Sequence, residues 1–442
     1  MAQETARSSR YRVVVTVGLL TDKYELTMLS AALRDGTGQR RTTFELFARR
    51  LPEGRRYGVV AGTGRLLDML ADFTFGDADL AVLAEFLDAQ TMDFLRDFRF
   101  RADIDGYPEG ELYFPGSPVL SVSGTFAECV LLETLALSVL NHDTAIASAA
   151  ARMVSAAQGR TLIEMGSRRT HERAAVASAR AAYVAGFDGT SNLEAARSAG
   201  VPALGTSAHA FTMLYAGPGG PDELAAFRAQ VAALGVGTTL LVDTYDVTSG
   251  VENAIAAAGV QLGAVRIDSG DLGVLARRVR AQLDGLGATG TRIVVSGDLD
   301  EHAIAGLRAE PVDSYGVGTS LVTGSGAPTA SMVYKLVEVD GTPVTKRSSH
   351  KESHGGAKAA TRVMRRSGTI VEEVVHPAGA PPHLDEPARR VTVPLVRAGQ
   401  VVADTAVADA RARVAEGLVS LPWEGLKLSR GEPAVPTRII EP

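Results

Sequence analysis

The side chains of this sequence best equipped for chemistry gather around Arg266, Asp268 and His209. Arg266 stands inside the apolar run Ala264-Val-Arg-Ile267, two residues before Asp268. A guanidinium so placed needs an anionic partner to offset its desolvation, and a planar carboxylate or a phosphate would serve in bidentate fashion. Asp268 is a candidate to grip hydroxyls or a hydrated divalent cation. His209 follows Gly205-Thr206-Ser-Ala, small residues that leave room for a ligand. Such a histidine is either a hydrogen-bonded structural residue or a neutral imidazole able to act as nucleophile or base near pH 7.

Glycine-rich patterns add to these. Ser269-Gly-Asp271-Leu is echoed by Ser296-Gly-Asp298-Leu. Asp271 and Asp298 either cap the helices that follow or join Asp268 in binding. Gly316-Val-Gly318-Thr319-Ser320 can offer backbone N–H groups and a hydroxyl to a phosphate, while Gly324-Ser-Gly326 extends that cradle or is only a turn. Arg168 and Arg169 follow another apolar run, and Lys335, Lys346, Arg347, Lys351 and Lys358 cluster later. Cys129, the single cysteine, sits beside Val130, Leu131 and Leu132, which reads as a core thiol. In His350-Lys-Glu-Ser-His354 the glutamate is misplaced for a zinc-binding helix motif.

Seven short apolar runs must position these groups: 161–165, 183–187, 201–204, 238–242, 264–267, 292–295 and 314–318. Each ends in a polar, charged or glycine-rich cluster, and most are separated by Ala/Leu/Arg-rich stretches of helical length. Strand, loop, helix in repetition predicts parallel strands with helical crossovers, and active sites of such folds lie at the carboxyl ends of the strands. The expected fold class is therefore α/β, an irregular parallel α/β barrel over 141–335. An N-terminal α/β domain over 11–140 and a C-terminal segment over 336–442 that packs back on it would form a second, mixed α/β domain, with a disordered tail over residues 1–10. Helical patterns at 24–33, 61–73, 79–87 and 407–418, and strand patterns at 41–47, 102–108, 332–339 and 391–396, fill these outer parts.

Composition narrows the function. In 442 residues, 45 basic side chains face 51 acidic ones for a net charge of -6, and no basic stretch is interleaved with aromatics, so a nucleic-acid partner is not expected. The apolar run at 13–20 follows arginines but leads into Thr21-Asp-Lys-Tyr-Glu25 rather than a small-residue cleavage site, and no span of 18 apolar residues occurs. A cytoplasmic enzyme with no membrane partner is the expectation.

Taken in order, several motifs resemble those of the nicotinate phosphoribosyltransferases. They are Leu20-Thr-Asp22-Lys-Tyr24-Glu-Leu-Thr27-Met28, Glu133-Thr-Leu135 with Asn141 and Thr144, Glu164-Met-Gly-Ser-Arg168-Arg169, Gly186-Phe-Asp-Gly-Thr-Ser191-Asn192, Gly205-Thr206-Ser-Ala-His209, Val265-Arg266-Ile-Asp268-Ser-Gly-Asp271 and Gly316-Val-Gly318-Thr319. The resemblance runs from about residue 19 to the last helix. It implies a type II phosphoribosyltransferase fold that joins nicotinate to 5-phosphoribosyl 1-pyrophosphate with Mg²⁺ carried by the substrate, in a homodimer with a shared active site. It further implies that ATP phosphorylates His209 and that Tyr24 covers the pyridine ring of the neighbouring subunit. Thr206, Arg266 and, beside them, Arg168 would contact nicotinate, Asp268 would hold the ribose, and Asp298, Gly316, Gly318 and Thr319 would take the phosphoribosyl pyrophosphate. The related nicotinamide phosphoribosyltransferases, the alternative reading, have an aspartate where this chain has Ser191-Asn192, and its absence favours the acid. The loop His354-Gly-Gly-Ala-Lys358 departs from the family pattern, which leaves the roles of Lys351 and Lys358 open. A barrel aldolase or isomerase would need a Schiff-base lysine or a paired carboxylate base at a strand end, and residues 141–334 contain no lysine.

Overall fold

The computed structural model describes residues 16–346 and 354–441. The expected tail over residues 1–10, and Arg347, His350 and Lys351, lie outside them. A parallel sheet of six strands carries the candidate site: β1 Thr161–Glu164, β2 Gly189–Thr190, β3 Thr239–Leu241, β4 Ala264–Ile267, β5 Arg292–Ser296 and β6 Ser314–Val317, in the spatial order β3-β4-β5-β6-β1-β2. Every neighbouring pair is parallel, and Val265, Ile267, Ile293, Val295, Tyr315 and Val317 are buried in one core with the crossover helices. Such doubly covered strands explain why the runs are apolar at nearly every position. The sheet curls into an open half-barrel, as the α/β expectation required.

Two of the seven predicted strands are corrected. Residues 183 and 184 end the helix Glu172–Val184, and Gly186, with φ 120, turns the chain away from it. The alanine-rich helix continues through Tyr183 because its helix formers outweigh the β preference of an aromatic and a valine at its end. The strand forms later, as the two residues of β2. Residues 201–204 contribute a single bridge, Thr190 to Ala203, because Pro202 has no N–H with which to extend a ladder. From there the chain joins the two edge strands of the sheet by way of helix His209–Met213, the hairpin Ala216–Gly217 with Gly220–Pro221, and helix Glu223–Leu234.

A second body holds the other core. Its seven-stranded sheet runs, in order, Thr342–Pro343, Met332–Val339, Arg41–Ala48, Leu120–Thr125, Asp103–Gly106, Val393–Arg397 and Gln400–Val401, so three strands from the N-terminal part are flanked on each side by two from later in the chain. The 25-residue helix Glu133–Ala157 joins the bodies: Leu135, Val139 and Leu140 pack on the seven-stranded side, and Ile146, Ala150 and Met153 pack on the barrel side. The expected boundary at residue 140 falls inside this helix. Among the described residues no helix is long and apolar enough to cross a membrane. Cys129 is fully buried, and burial pushes its thiol up to about 12.

A four-stranded sheet, Ala388–Arg390, Lys358–Met364, Ile370–Pro377 and Thr437–Ile439 in that order, is pinned to the rest by a buried ion cluster. Arg362, fully enclosed, donates to Glu373 at 2.5 Å, to the Leu112 carbonyl at 2.8 Å and to Glu111. Glu373 also accepts from Tyr107 at 2.7 Å, and Arg389 meets Glu111 at 2.8 Å. Lys358 is similarly committed, its Nζ lying 2.8 Å from the buried Glu45. Removing one member of such a cluster strands the others without water or counter-charge. Arg362→Met should therefore destabilise the fold by about 3–5 kcal/mol, measured as a lowered urea midpoint; a change below about 1 kcal/mol would show that Glu111 and Glu373 do not depend on this guanidinium.

Candidate active site

Arg266 stands near the carboxyl end of β4, the second strand from one edge of the half-barrel, and spends four of its five N–H donors within the chain. Its Nε donates to Ser296 Oγ at 2.8 Å, Nη1 to Thr206 Oγ1 at 2.9 Å and to the Ser207 carbonyl at 3.2 Å, and Nη2 to Asp268 Oδ1 at 2.7 Å. The anion that its burial demanded is thus Asp268 in the first place, and one N–H on Nη2 is left for a ligand. Ser296 also donates to Asp268 Oδ1. The turn that carries Asp268 is held from β3, where Asp243 Oδ2 accepts from the Asp268 N–H at 2.8 Å and from Ser269 Oγ at 2.9 Å. Gly297, with φ 109, leaves room for the Asp268 carbonyl, which a Cβ there would strike.

His209 completes the group. Its Nε2 lies 3.8 Å from Asp268 Oδ2, and its Nδ1 is 3.2 Å from Thr244 Oγ1. Roughly a third of its side chain is exposed, as is that of Asp268. His209, Thr206, Arg266 and Asp268 therefore form one connected cluster drawn from the end of β4 and the loop after Ala203.

Other expected site residues stand differently. Arg168 is exposed, and its side chain has no hydrogen-bond or ion-pair partner in the structure's described part. Asp271 caps the helix Leu272–Gly285 through the Val274 N–H at 3.0 Å, whereas Asp298 caps nothing: it is exposed at φ 45, and the following helix is capped by Asp300. The sequence echo thus conceals two different turns. Gly316 is buried, a Cβ there would come within 2.7 Å of Met165 Sδ, and Thr319 is exposed beyond it. Gly324-Ser-Gly326 is a turn, with Ser325 Oγ on Glu301 at 2.7 Å and the Gly324 carbonyl on Arg55 at 2.5 Å. Tyr24 is 44% exposed on the helix Lys23–Arg34 of the other body; partial burial and the nearby Glu133 carboxylate raise its phenol, and it makes no bond to the Arg266 cluster. Sequence reasoning ranked neither Asp243, Thr244 nor Ser207, although the first two stand at a strand's carboxyl end; short hydroxyl and carboxyl side chains are too common in loops for that position alone to single them out.

Residues 19–141 match the nicotinate phosphoribosyltransferase (NAPRTase) N-terminal domain, and residues 161–368 match the nicotinate phosphoribosyltransferase (NAPRTase) family. The chain is also 75% identical over 427 residues to nicotinate phosphoribosyltransferase pncB1 of Mycobacterium tuberculosis, covering 96% of this chain and 95% of that one. The chain belongs to the nicotinate phosphoribosyltransferase family. Among solved structures, human nicotinic acid phosphoribosyltransferase superposes on this family member with a TM-score of 0.80 at 28% identity, over 93% of this chain and 96% of the human one. Nicotinate-nucleotide pyrophosphorylase from Pyrococcus furiosus does so at 0.76 and 25%, over 95% and 99%. Two enzymes with different names share the architecture, so the reaction of a family member must be argued from its site.

Burial alone would raise the Asp268 carboxyl, but hydrogen bonds from Ser296 and Arg266 and the charges of Arg266 and His209 outweigh it and hold the group below the ordinary aspartate value. The folded chain then binds this proton less tightly than the unfolded chain. Its stabilising contribution is complete above the unfolded value of 3.8 and is lost as pH falls through the lower folded value. The stability gap between the wild type and Asp268→Asn should accordingly stay flat from about pH 7 to 5 and shrink below about pH 4. Urea midpoints across that range check this, and a gap that already closes between about pH 7 and 5 would mean that Arg266 does not keep the carboxylate ionised.

Proposed function

We propose that the protein joins nicotinate to 5-phosphoribosyl 1-pyrophosphate, releasing nicotinate mononucleotide and pyrophosphate for NAD biosynthesis, and couples this to ATP hydrolysis through a phosphohistidine at His209. The observation that carries the reading is the Arg266–Asp268–His209 cluster at the carboxyl end of a half-barrel in a chain of this family. The remaining Arg266 N–H, the Thr206 hydroxyl beside it and the unpartnered Arg168 suit a pyridine carboxylate. Ser191 and Asn192 bring no negative charge that would repel it, which favours nicotinate over nicotinamide.

In the transfer, the bond from ribose C1 to a pyrophosphate oxygen breaks and its electron pair leaves with pyrophosphate, while the pyridine nitrogen forms the new bond to C1. Positive charge grows on the ribose ring. Asp268, kept ionised by its neighbours, would accept from the ribose hydroxyls and oppose that charge with its own. The loop at Gly316, Gly318 and Thr319, with Asp298, receives the phosphates. Mg²⁺ carried by the phosphoribosyl pyrophosphate would supply charge neutralisation for the leaving pyrophosphate, and among the described residues no group of three metal-ligating side chains is gathered to hold the ion independently of it. In the tautomer whose Nδ1 donates to Thr244, His209 would have its lone pair on Nε2 for the γ-phosphoryl group of ATP. ADP leaves, and water later releases phosphate from the nitrogen.

The same proposal includes a homodimer. Leu20, Tyr24 and Met28 form an exposed apolar stretch at the start of the first helix, far from any bond to their own Arg266 cluster. A second copy's Tyr24 would cover the pyridine ring.

Product formation from nicotinate and 5-phosphoribosyl 1-pyrophosphate with Mg²⁺, with and without ATP and with nicotinamide in parallel, tests the activity. Product from nicotinate that rises with ATP is expected, and folded protein that converts neither base would overturn the assignment. His209→Ala should lose ATP stimulation while retaining basal transfer; stimulation that survives removes His209 from the coupling. Mixing Tyr24→Ala with Arg266→Ala, each nearly inactive alone, should restore about a quarter of wild-type activity if sites are shared across a two-fold dimer, and no restoration would count against the shared site.

A further inference from the structure

Glu164, at the carboxyl end of β1, is fully buried, and no cation pairs with it among the described residues. Its Oε1 accepts from the Gly166 N–H and its Oε2 from Thr190 Oγ1. Thr190 Oγ1 in turn accepts from the Asn192 N–H at 2.9 Å, and Asn192 Nδ2 donates to Ser167 Oγ at 2.9 Å. The backbone repeats the connection, with the Ser191 N–H on the Glu164 carbonyl at 2.9 Å and the Met165 N–H on the Val317 carbonyl at 2.8 Å. Gly166 presses against Val322 so closely that a Cβ would collide with it, and that Cβ would stand 3.2 Å from the Gly318 carbonyl.

One carboxyl group thus ties the turn bearing Ser167 and Arg168, which packs against the glycine loop after β6, to the turn bearing Ser191 and Asn192. An ionised carboxylate enclosed without a counter-ion is unfavourable in itself. Burial raises this one, and the bonds from Thr190 and Gly166 only partly oppose that. A residue serving merely to fill space at the end of β1 would be apolar. The bonds Glu164 makes are therefore the reason for a carboxyl there.

We propose that Glu164 is a positioning residue that sets the spacing between the Arg168 turn and the Ser191-Asn192 turn, and through it the discrimination between a pyridine carboxylate and the corresponding amide. The inference rests on the transfer reaction proposed above. Among the described residues the Arg168 side chain has no partner, so the backbone turn it rides on decides where its guanidinium stands. Loss of the Glu164 bonds frees that turn without touching Arg266, Thr206 or Asp268.

The test compares wild type, Glu164→Ala, Glu164→Gln and Thr190→Val by thermal melting and by steady-state kinetics with nicotinate, nicotinamide and 5-phosphoribosyl 1-pyrophosphate. Glu164→Ala should raise the KM for nicotinate about tenfold and lower the nicotinate-to-nicotinamide ratio of kcat/KM by a similar factor, with a change of no more than about twofold in the KM for the phosphoribosyl donor. Glu164→Gln should recover most of this, because its amide oxygen can accept from Gly166 while its NH₂ donates to Thr190. Thr190→Val, which keeps the shape and removes one bond, should move the same quantities in the same direction and carries the test if Glu164→Ala does not fold. A folded Glu164→Ala or Thr190→Val whose KM values and base ratio match the wild type, with only kcat or melting temperature reduced, overturns the inference. Wild-type protein inactive on both bases would instead overturn the proposed function, and this inference with it.

Discussion

A guanidinium drawn out of water at the end of a parallel strand has to be satisfied on every side, and the mouth of this half-barrel is arranged around that need. Arg266 reaches into three neighbours at once: Ser296 on β5, Asp268 after its own strand β4, and the loop at Thr206 and Ser207. Each partner is then placed by something else. Asp243 holds the amide of Asp268, Gly297 gives its carbonyl room, and Ser296 shares its oxygen. The charge on Asp268 in turn faces His209. A site whose polar groups largely satisfy one another before any ligand arrives, with one Arg266 N–H and the buried Asp243 Oδ1 left over, meets its substrates with little to reorganise.

The same economy recurs away from the site, where buried charge marks the seams between bodies. Arg362 with Glu111, Lys358 with Glu45, and Arg152 with Glu301 at 2.9 Å each join segments far apart in the chain. Apolar packing drives the two cores together without specifying direction; paired charges, which are costly when misaligned, specify it. Helix Glu133–Ala157 extends the theme by giving one end to each core, so neither body forms its core from residues that are local in the chain.

Much of this was legible beforehand where chemistry and pattern agree. Arg266 was identifiable because an arginine in an apolar strand has few explanations, and the strands at 161, 239, 264, 292 and 314 because doubly covered strands are apolar throughout. Tyr183–Val184 misled, since a helix can end on residues that favour strands, and Pro202 reduced a predicted strand to one bridge. The two Ser-Gly-Asp-Leu repeats looked equivalent and are not: Asp271 caps a helix while Asp298 stands at φ 45, a difference fixed by the chain beyond the repeat. Glu164, Asp243 and Thr244 escaped ranking because their importance lies in partners brought from elsewhere in the fold, which no local pattern records.

The shortness of β2 and the lone bridge at Ala203 have a mechanical meaning. The segment bearing His209 leaves the sheet after a single rung, so the imidazole is moored by two side-chain contacts, to Thr244 and Asp268, rather than built into a ladder. A side chain held only by such contacts can exchange partners without disturbing the sheet. Here it can do so by letting go of a hydroxyl and turning from a carboxylate, while the strands that hold Arg266 and Asp268 remain paired and the floor of the site stays where it is.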